Sequence, residues 1–122
     1  MNPILLDLNE KSADIQASAI ISTDGMVLAA VIPNDMDEDT LGAISAGLYS
    51  FGSRSAKEFA GGMIEQIIVR YANGYFLMVH VGKELVLTVI TKTHTELDLI
   101  LLELKRTVEK ITAYLNSEIL MA

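Results

Sequence analysis

The sequence predicts a single α+β domain over residues 1–122, an α/β sandwich in the order αββαβββα. Its five-stranded antiparallel sheet carries a central helix on one face and the two terminal helices on the other. Two turn dipeptides, Asp24-Gly25 and Asn73-Gly74, each separate runs of strand length, the pattern of β-hairpins. Between them, residues 37–60 repeat apolar side chains at helical spacing. The runs FLMVHV and LVLTVI are apolar on both faces, so helices must cover both sides of the sheet.

The chain opens with a helix over residues 3–15. Asn2 can cap it with Pro3 at the first position, where the missing N–H costs nothing, and Ile4, Leu5, Leu8 and Ile15 follow at roughly helical spacing. A hairpin over 17–32 turns at Asp24-Gly25, whose type I′ form needs positive φ at both residues, and Pro33 stops it. Asp35, Asp37, Glu38 and Asp39 then place four acids in five positions. Acids at a helix start offset its dipole and satisfy free N–H groups. The spacing lacks the Gly and distal Glu of a calcium loop, so no metal is expected.

The helix over 37–60 has two usable faces. At 100° per residue, Leu41, Ile44, Leu48, Phe51 and Phe59 fall within roughly 80°, a stripe expected to lie on its own sheet. An adjoining sector holds Gly42, Ala46, Tyr49, Ser53, Ala56 and Ala60. Small residues let another backbone come close, and each helical Gly costs roughly 0.8–1 kcal/mol relative to Ala. This second face is therefore expected to pack on a partner helix, and a charge placed at Ala46 to split the pair.

Gly61-Gly62 ends the helix in the left-handed position. A meander over 63–91 follows, turning at Asn73-Gly74 and Gly82-Lys83. Its first strand, residues 63–72, is the most polar of the three, with Glu65, Gln66 and Arg70. An outer strand of that kind leaves N–H and C=O groups that must be protected or paired with another chain. Thr95-Glu96-Leu97-Asp98 resembles a capping box opening the final helix over 96–115. Leu97, Ile100, Leu101, Leu104, Val108, Ile111 and Leu115 form its core stripe, whereas Leu99 and Leu102 point elsewhere and are candidate partner contacts. Residues 116–122 are left as a tail.

Composition narrows the function classes. Hydrophobic residues make up 51% and mean hydropathy is +0.38, yet no apolar run reaches the ~18 residues of a membrane span. Surplus apolar surface buried in an oligomer is expected, without direct membrane insertion. The start, Met1-Asn2-Pro3, lacks signal-peptide features, which reads as cytoplasmic. The absence of cysteine removes disulfides, thiol nucleophiles and Cys-based metal sites. A net charge of −7 is opposite to a phosphate-backbone surface, which excludes nucleic acid as a partner class.

The search for chemistry points to no catalytic residues, no cofactor and no metal. The glycines at 42, 47 and 52 sit in a helix, and Gly61-Gly62 lacks the following Gly-Lys-Ser/Thr of a phosphate loop. His80 and His94 have no evident acid partner, and the serines lack a G-x-S-x-G setting. Arg54 and Lys57 on the central helix and Arg70 on the outer strand are possible contacts to an acidic partner.

The order of elements, the run IISTDGMVLAAVI with its Asp24-Gly25 turn, the long small-residue helix and the Asn73-Gly74 meander together resemble the roadblock/dynein light chain family over nearly the whole chain. The resemblance implies a profilin-like sandwich that forms homodimers. Central helices pack through Gly42, Ala46, Tyr49, Ser53, Ala56 and Ala60, and outer strands pair through Glu65, Ile67 and Val69. It further implies a non-catalytic regulator or scaffold of a small Ras-like GTPase, with a possible GTPase-activating effect on that partner. An arginine supplied to a GTPase is worth 10³–10⁵ in rate, which makes Arg54 and Arg70 worth testing. The alternatives are a nucleotide-independent adaptor subunit of a motor or signalling complex, and a small enzyme or ligand-binding domain using His80 or Asp24.

Overall fold

The computed structural model describes residues 1–92 and 96–121, so His94 and the Thr95 end of the capping box lie outside the described residues. The elements are α1 (Asn2–Lys11), β1 (Ile15–Ser22), β2 (Val27–Val31), α2 (Glu38–Glu58), β3 (Gln66–Tyr71), β4 (Gly74–Val81), β5 (Leu85–Thr91) and α3 (Leu97–Met121). All five strands form one antiparallel sheet in the order β2-β1-β5-β4-β3.

Alternation along the strands divides the core in two. Ile20, Tyr75, Leu77, Leu87 and Val89 meet Leu5 and Leu8 of α1 and Ile100, Leu104 and Ile111 of α3 on one face. Ala19, Ile21, Phe76, Met78 and Val86 meet Leu41 of α2 on the other. The expected architecture is therefore present, with β5 and β4 buried from both sides.

Several boundaries differ from expectation, for local reasons. Asn2 is already helical, Met1 takes the cap position without a side-chain bond, and the helix stops at Lys11. The Asp14 backbone N–H then donates to Ser12 Oγ, and Ile15 pairs with Thr91 in the sheet, so its helical spacing was coincidental. Neither Asp24 nor Asn73 has positive φ, whereas Gly25 and Gly74 do; type I′ turns are therefore absent. At the second hairpin Tyr71 pairs with Gly74, leaving Ala72-Asn73 as the loop. There a Cβ on residue 74 would stand 2.1 Å from the Thr91 carbonyl oxygen. At the end of α2 it is Ala60, with φ of 54°, that takes the left-handed conformation ahead of Gly62. The supposed tail is helical to Met121.

Polar groups fasten the helices to the sheet. Ser18 Oγ donates to Asn9 Oδ1 at 2.7 Å, and Asn9 Nδ2 donates to the Val31 carbonyl, tying α1 to β1 and β2. Asp37 caps α2, its carboxylate accepting from the Asp39 N–H and the Thr40 hydroxyl. Lys110 Nζ donates to Asp7 Oδ2 at 2.7 Å and joins α3 to α1. That hydrogen bond, helped by the nearby charges of Lys11 and Lys110, holds the Asp7 carboxyl below its ordinary range against the opposing effect of desolvation.

A depressed folded-state value means that Asp7 stabilises the fold above the unfolded carboxylate range and loses that contribution as pH falls through the folded value. Asp7→Asn is expected to lower the urea midpoint slightly at pH 7. The difference from the parent chain should shrink progressively as pH falls below the ordinary carboxylate range, measured by urea titration at pH 7 and at a series of lower pH values.

Candidate interaction surface

α2 lies on the sheet by its small face. Gly42 is buried, and a Cβ placed on it would meet the Gly25 carbonyl oxygen at 2.4 Å. Ser45 Oγ and Thr88 Oγ1 are 3.1 Å apart and fully buried, joining helix to central strand. Gly52 admits Ile64 and Ile67, since a Cβ there would stand 2.5 Å from Ile64 Cδ1. The small residues thus answer a close approach to the chain's own hairpin and sheet.

This corrects the expected division of faces. Leu41 and Leu48 do pack on the core, but Ile44, Phe51 and Phe59 are 49%, 78% and 82% exposed. Among the residues expected at a partner helix, Gly42 is closed off by Gly25, and Ala46 approaches Gly25 as well. Tyr49 packs against the α2-side core. Ala56 lines a hollow of about 590 Å³ with Gly52, Met63 and Ile64, Ser53 lines a second one beside Arg54, and Ala60 lies beyond the helix. The apolar side chains left outside, Ile44 and Phe51 on the helix with Phe59 at its end, are residues that the periodicity assigns to the sheet, and Met63 after them is exposed as well. Gly42, Ser45 and Gly52 on one 100°-per-residue sector were the signal available for the opposite orientation.

β3 pairs with β4 alone among the described residues, so its outer backbone edge is open. Ile67 and Val69 turn inward against the α2-side core. Glu65 precedes the strand and is exposed.

The five candidate partner contacts do not form one patch. Arg54 and Lys57 are exposed on α2. Arg70 donates from Nη1 to the Tyr75 hydroxyl at 2.8 Å, with its guanidinium 5.6 Å from that ring's centre. Leu99 and Leu102 are exposed on α3; Leu102 joins Val79, His80, Asp98, Leu101 and Lys105 around a groove of about 570 Å³. His80 Nδ1 is 3.3 Å from the Gly82 carbonyl oxygen, and the Asp24 carboxylate accepts from the Ser22 hydroxyl. Each of these two groups has a neighbour of its own. Among the described residues, no group of three or more His, Asp or Glu side chains could hold a metal, and no helix is long and apolar enough to cross a membrane.

A five-stranded antiparallel sheet with α2 on one face and α1 and α3 on the other is a profilin-like α+β sandwich. The model of the Roadblock/LC7 domain matches residues 1–91, and the chain belongs to that family. It is 36% identical over 110 residues to the uncharacterized protein MJ1340 of Methanocaldococcus jannaschii, covering 90% of this chain and 95% of that relative. Its fold is similar to a Roadblock/LC7 domain from Streptomyces avermitilis, with TM-score 0.88, 21% identity and coverage of 94% and 97%. Myxococcus xanthus MglB gives TM-score 0.87, 22% identity and coverage of 95% and 94%. Profilin II of Acanthamoeba castellanii is a more distant match, with TM-score 0.57, 12% identity and coverage of 88% and 94%.

Gly42→Ala separates the two roles open to this glycine. Alanine improves helix propensity by roughly 1 kcal/mol, but a methyl driven against backbone costs about 1–3 kcal/mol, so the urea midpoint should fall with the mass in solution unchanged. An unaltered midpoint with half the mass would return Gly42 to an interface between chains.

Proposed function

We propose that this chain is a homodimeric, cytoplasmic regulator or scaffold of a small Ras-like GTPase, supplying no catalytic residues of its own. The observation that carries the homodimer is the exposed apolar strip Ile44, Phe51 and Phe59, together with the position of β3 at the sheet edge. Large side chains this exposed on one helix face mark an interaction surface. A two-fold arrangement would let α2 pack on its copy while the outer edges of two β3 strands pair, removing both the apolar exposure and the free edge. Glu65, Ile67 and Val69 would then contribute mainly through backbone, since the two aliphatic side chains serve the chain's own core.

The GTPase rests on family membership and on the α3 surface. Leu99 and Leu102 stand exposed beside a groove with charged groups at its rim, a combination of apolar contact and polar rim suited to a protein partner. Arg70 is committed to Tyr75, so stimulation of hydrolysis would act through positioning of the GTPase's own groups.

Phe51→Glu is expected to raise the dimer dissociation constant at least ~30-fold, the loss of one central anchor, and to give a one-chain mass by light scattering. A mutant that remains two chains would remove Phe51 from the interface. Affinity capture with a GTP analogue and with GDP tests the partner. A small GTPase retained in one nucleotide state supports the regulator; equal retention of other proteins in both states favours an adaptor.

A further inference from the structure

We propose that the hollow between α2 and the β1–β2 hairpin binds the phosphate group of a small soluble phosphate monoester. Thr23, Tyr49, Ser50, Ser53, Arg54 and Lys57 line a space of about 470 Å³. Every one of these side chains carries an N–H or O–H donor, and no carboxylate lines the space. The chain has 16 acidic and 9 basic residues, so a two-cation hollow without an acid runs against its composition.

The helix builds this donor cluster by spacing. Residues 49, 50, 53, 54 and 57 fall three and four apart on one side of α2, and the approach of Gly25 to Gly42 sets the hairpin against the same helix. Thr23 lines the hollow from that hairpin, its backbone N–H bonded to the Glu84 carbonyl.

Nearby acids do not neutralise the pair. Among the described residues, Lys11, Lys110 and Arg106 form ion pairs with Asp7 and Glu103, while Arg54 and Lys57 form none. Glu58 stands four residues after Arg54, the less favourable order for a helical pair, and makes no ion pair with it. Asp24 is engaged by Ser22. Lys57 in the last turn does offset the α2 dipole, but that role calls for neither the second cation nor four hydroxyls.

The donor set selects the ligand. A carboxylate offers two oxygens and one charge, fewer than two cations and four hydroxyls can use. A phosphate monoester brings about −1.5 to −2 charges and three strong acceptor oxygens, which matches them. The volume lies in the range of small-ligand clefts, roughly 300–1,000 Å³, leaving room for the organic body that bears the phosphate. A net charge of −7 opposes approach to an anionic membrane, so the ligand is a free one. The hollow occupies a different sector of α2 from Ile44 and Phe51, and the proposal does not rest on the GTPase reading.

The test uses the isolated full chain, labelled with nitrogen-15 and titrated at constant ionic strength with inorganic phosphate, glycerol 2-phosphate and acetate. Saturable amide shifts at Thr23, Ser50, Ser53, Arg54 and Lys57 are expected with both phosphates and not with acetate. Arg54→Gln combined with Lys57→Gln should raise the phosphate dissociation constant at least ~10-fold with unchanged circular dichroism and solution mass. Equal shifts with acetate, shifts that survive the double substitution, or no saturation with either phosphate would overturn the site. Co-sedimentation with phosphatidic acid vesicles, in place of saturation by the soluble phosphates, would overturn the free-ligand source. Because no GTPase is present, none of these outcomes depends on the partner proposed above.

Discussion

The close approach of α2 to the β1–β2 hairpin, glycine against glycine at residues 25 and 42, sets the geometry of the whole exposed surface. With no side chain at either position, the helix settles near enough for Ser45 to reach Thr88 on β5. That buried hydroxyl pair satisfies two polar groups that would each be costly to leave unpaired, and it fixes the rotation of the helix about its axis. Once the rotation is fixed, Ile44 and Phe51 must face away from the sheet. The apolar strip is thus a consequence of packing chosen elsewhere on the same helix.

The opposite layer is organised differently. α1 is tied by Asn9 to two strands and by Asp7 to α3, while α3 spans 25 residues, or roughly 37 Å at 1.5 Å per residue. Its apolar stripe serves the core as far as Ile111 and Leu115 and then runs on to Ile119, which is exposed. One layer therefore offers a compact strip and the other a long rod with a groove along it. The two surfaces lie on opposite faces of the sheet and can be occupied together.

Element type and order were legible because they rest on strong local signals: the short, continuously apolar runs of β4 and β5, the glycine turns, and the long apolar repeat of α3. The rotation of α2 was not, because both sectors of that helix are apolar enough to be buried, and bulk alone favoured the wrong one. What decided it was distance: glycine and serine mark where a helix must come close, and closeness to its own sheet was read as closeness to a second helix. Turn details were also hidden. Asp24-Gly25 and Asn73-Gly74 correctly located hairpins, but one positive φ in each sufficed, since the second hairpin loops through Ala72-Asn73. Arg70 illustrates a further limit, its partnership with Tyr75 being set by cross-strand register.

The strand order carries a consequence for how the chain is made. β1 lies between β2 and β5, so the hairpin that is synthesised before the other three strands waits for β5 before its second edge is filled. Until residues 85–91 are available, Ile20 and Ile21 lack the neighbours that bury them, and the growing chain holds an apolar, half-paired strand in water. Such non-local closure slows folding and prolongs the interval in which unpaired edges can find wrong partners. The glycine turns and the short β2 limit that interval by letting each hairpin form locally, leaving one long-range step, the zipping of β5 onto β1, to complete the sheet.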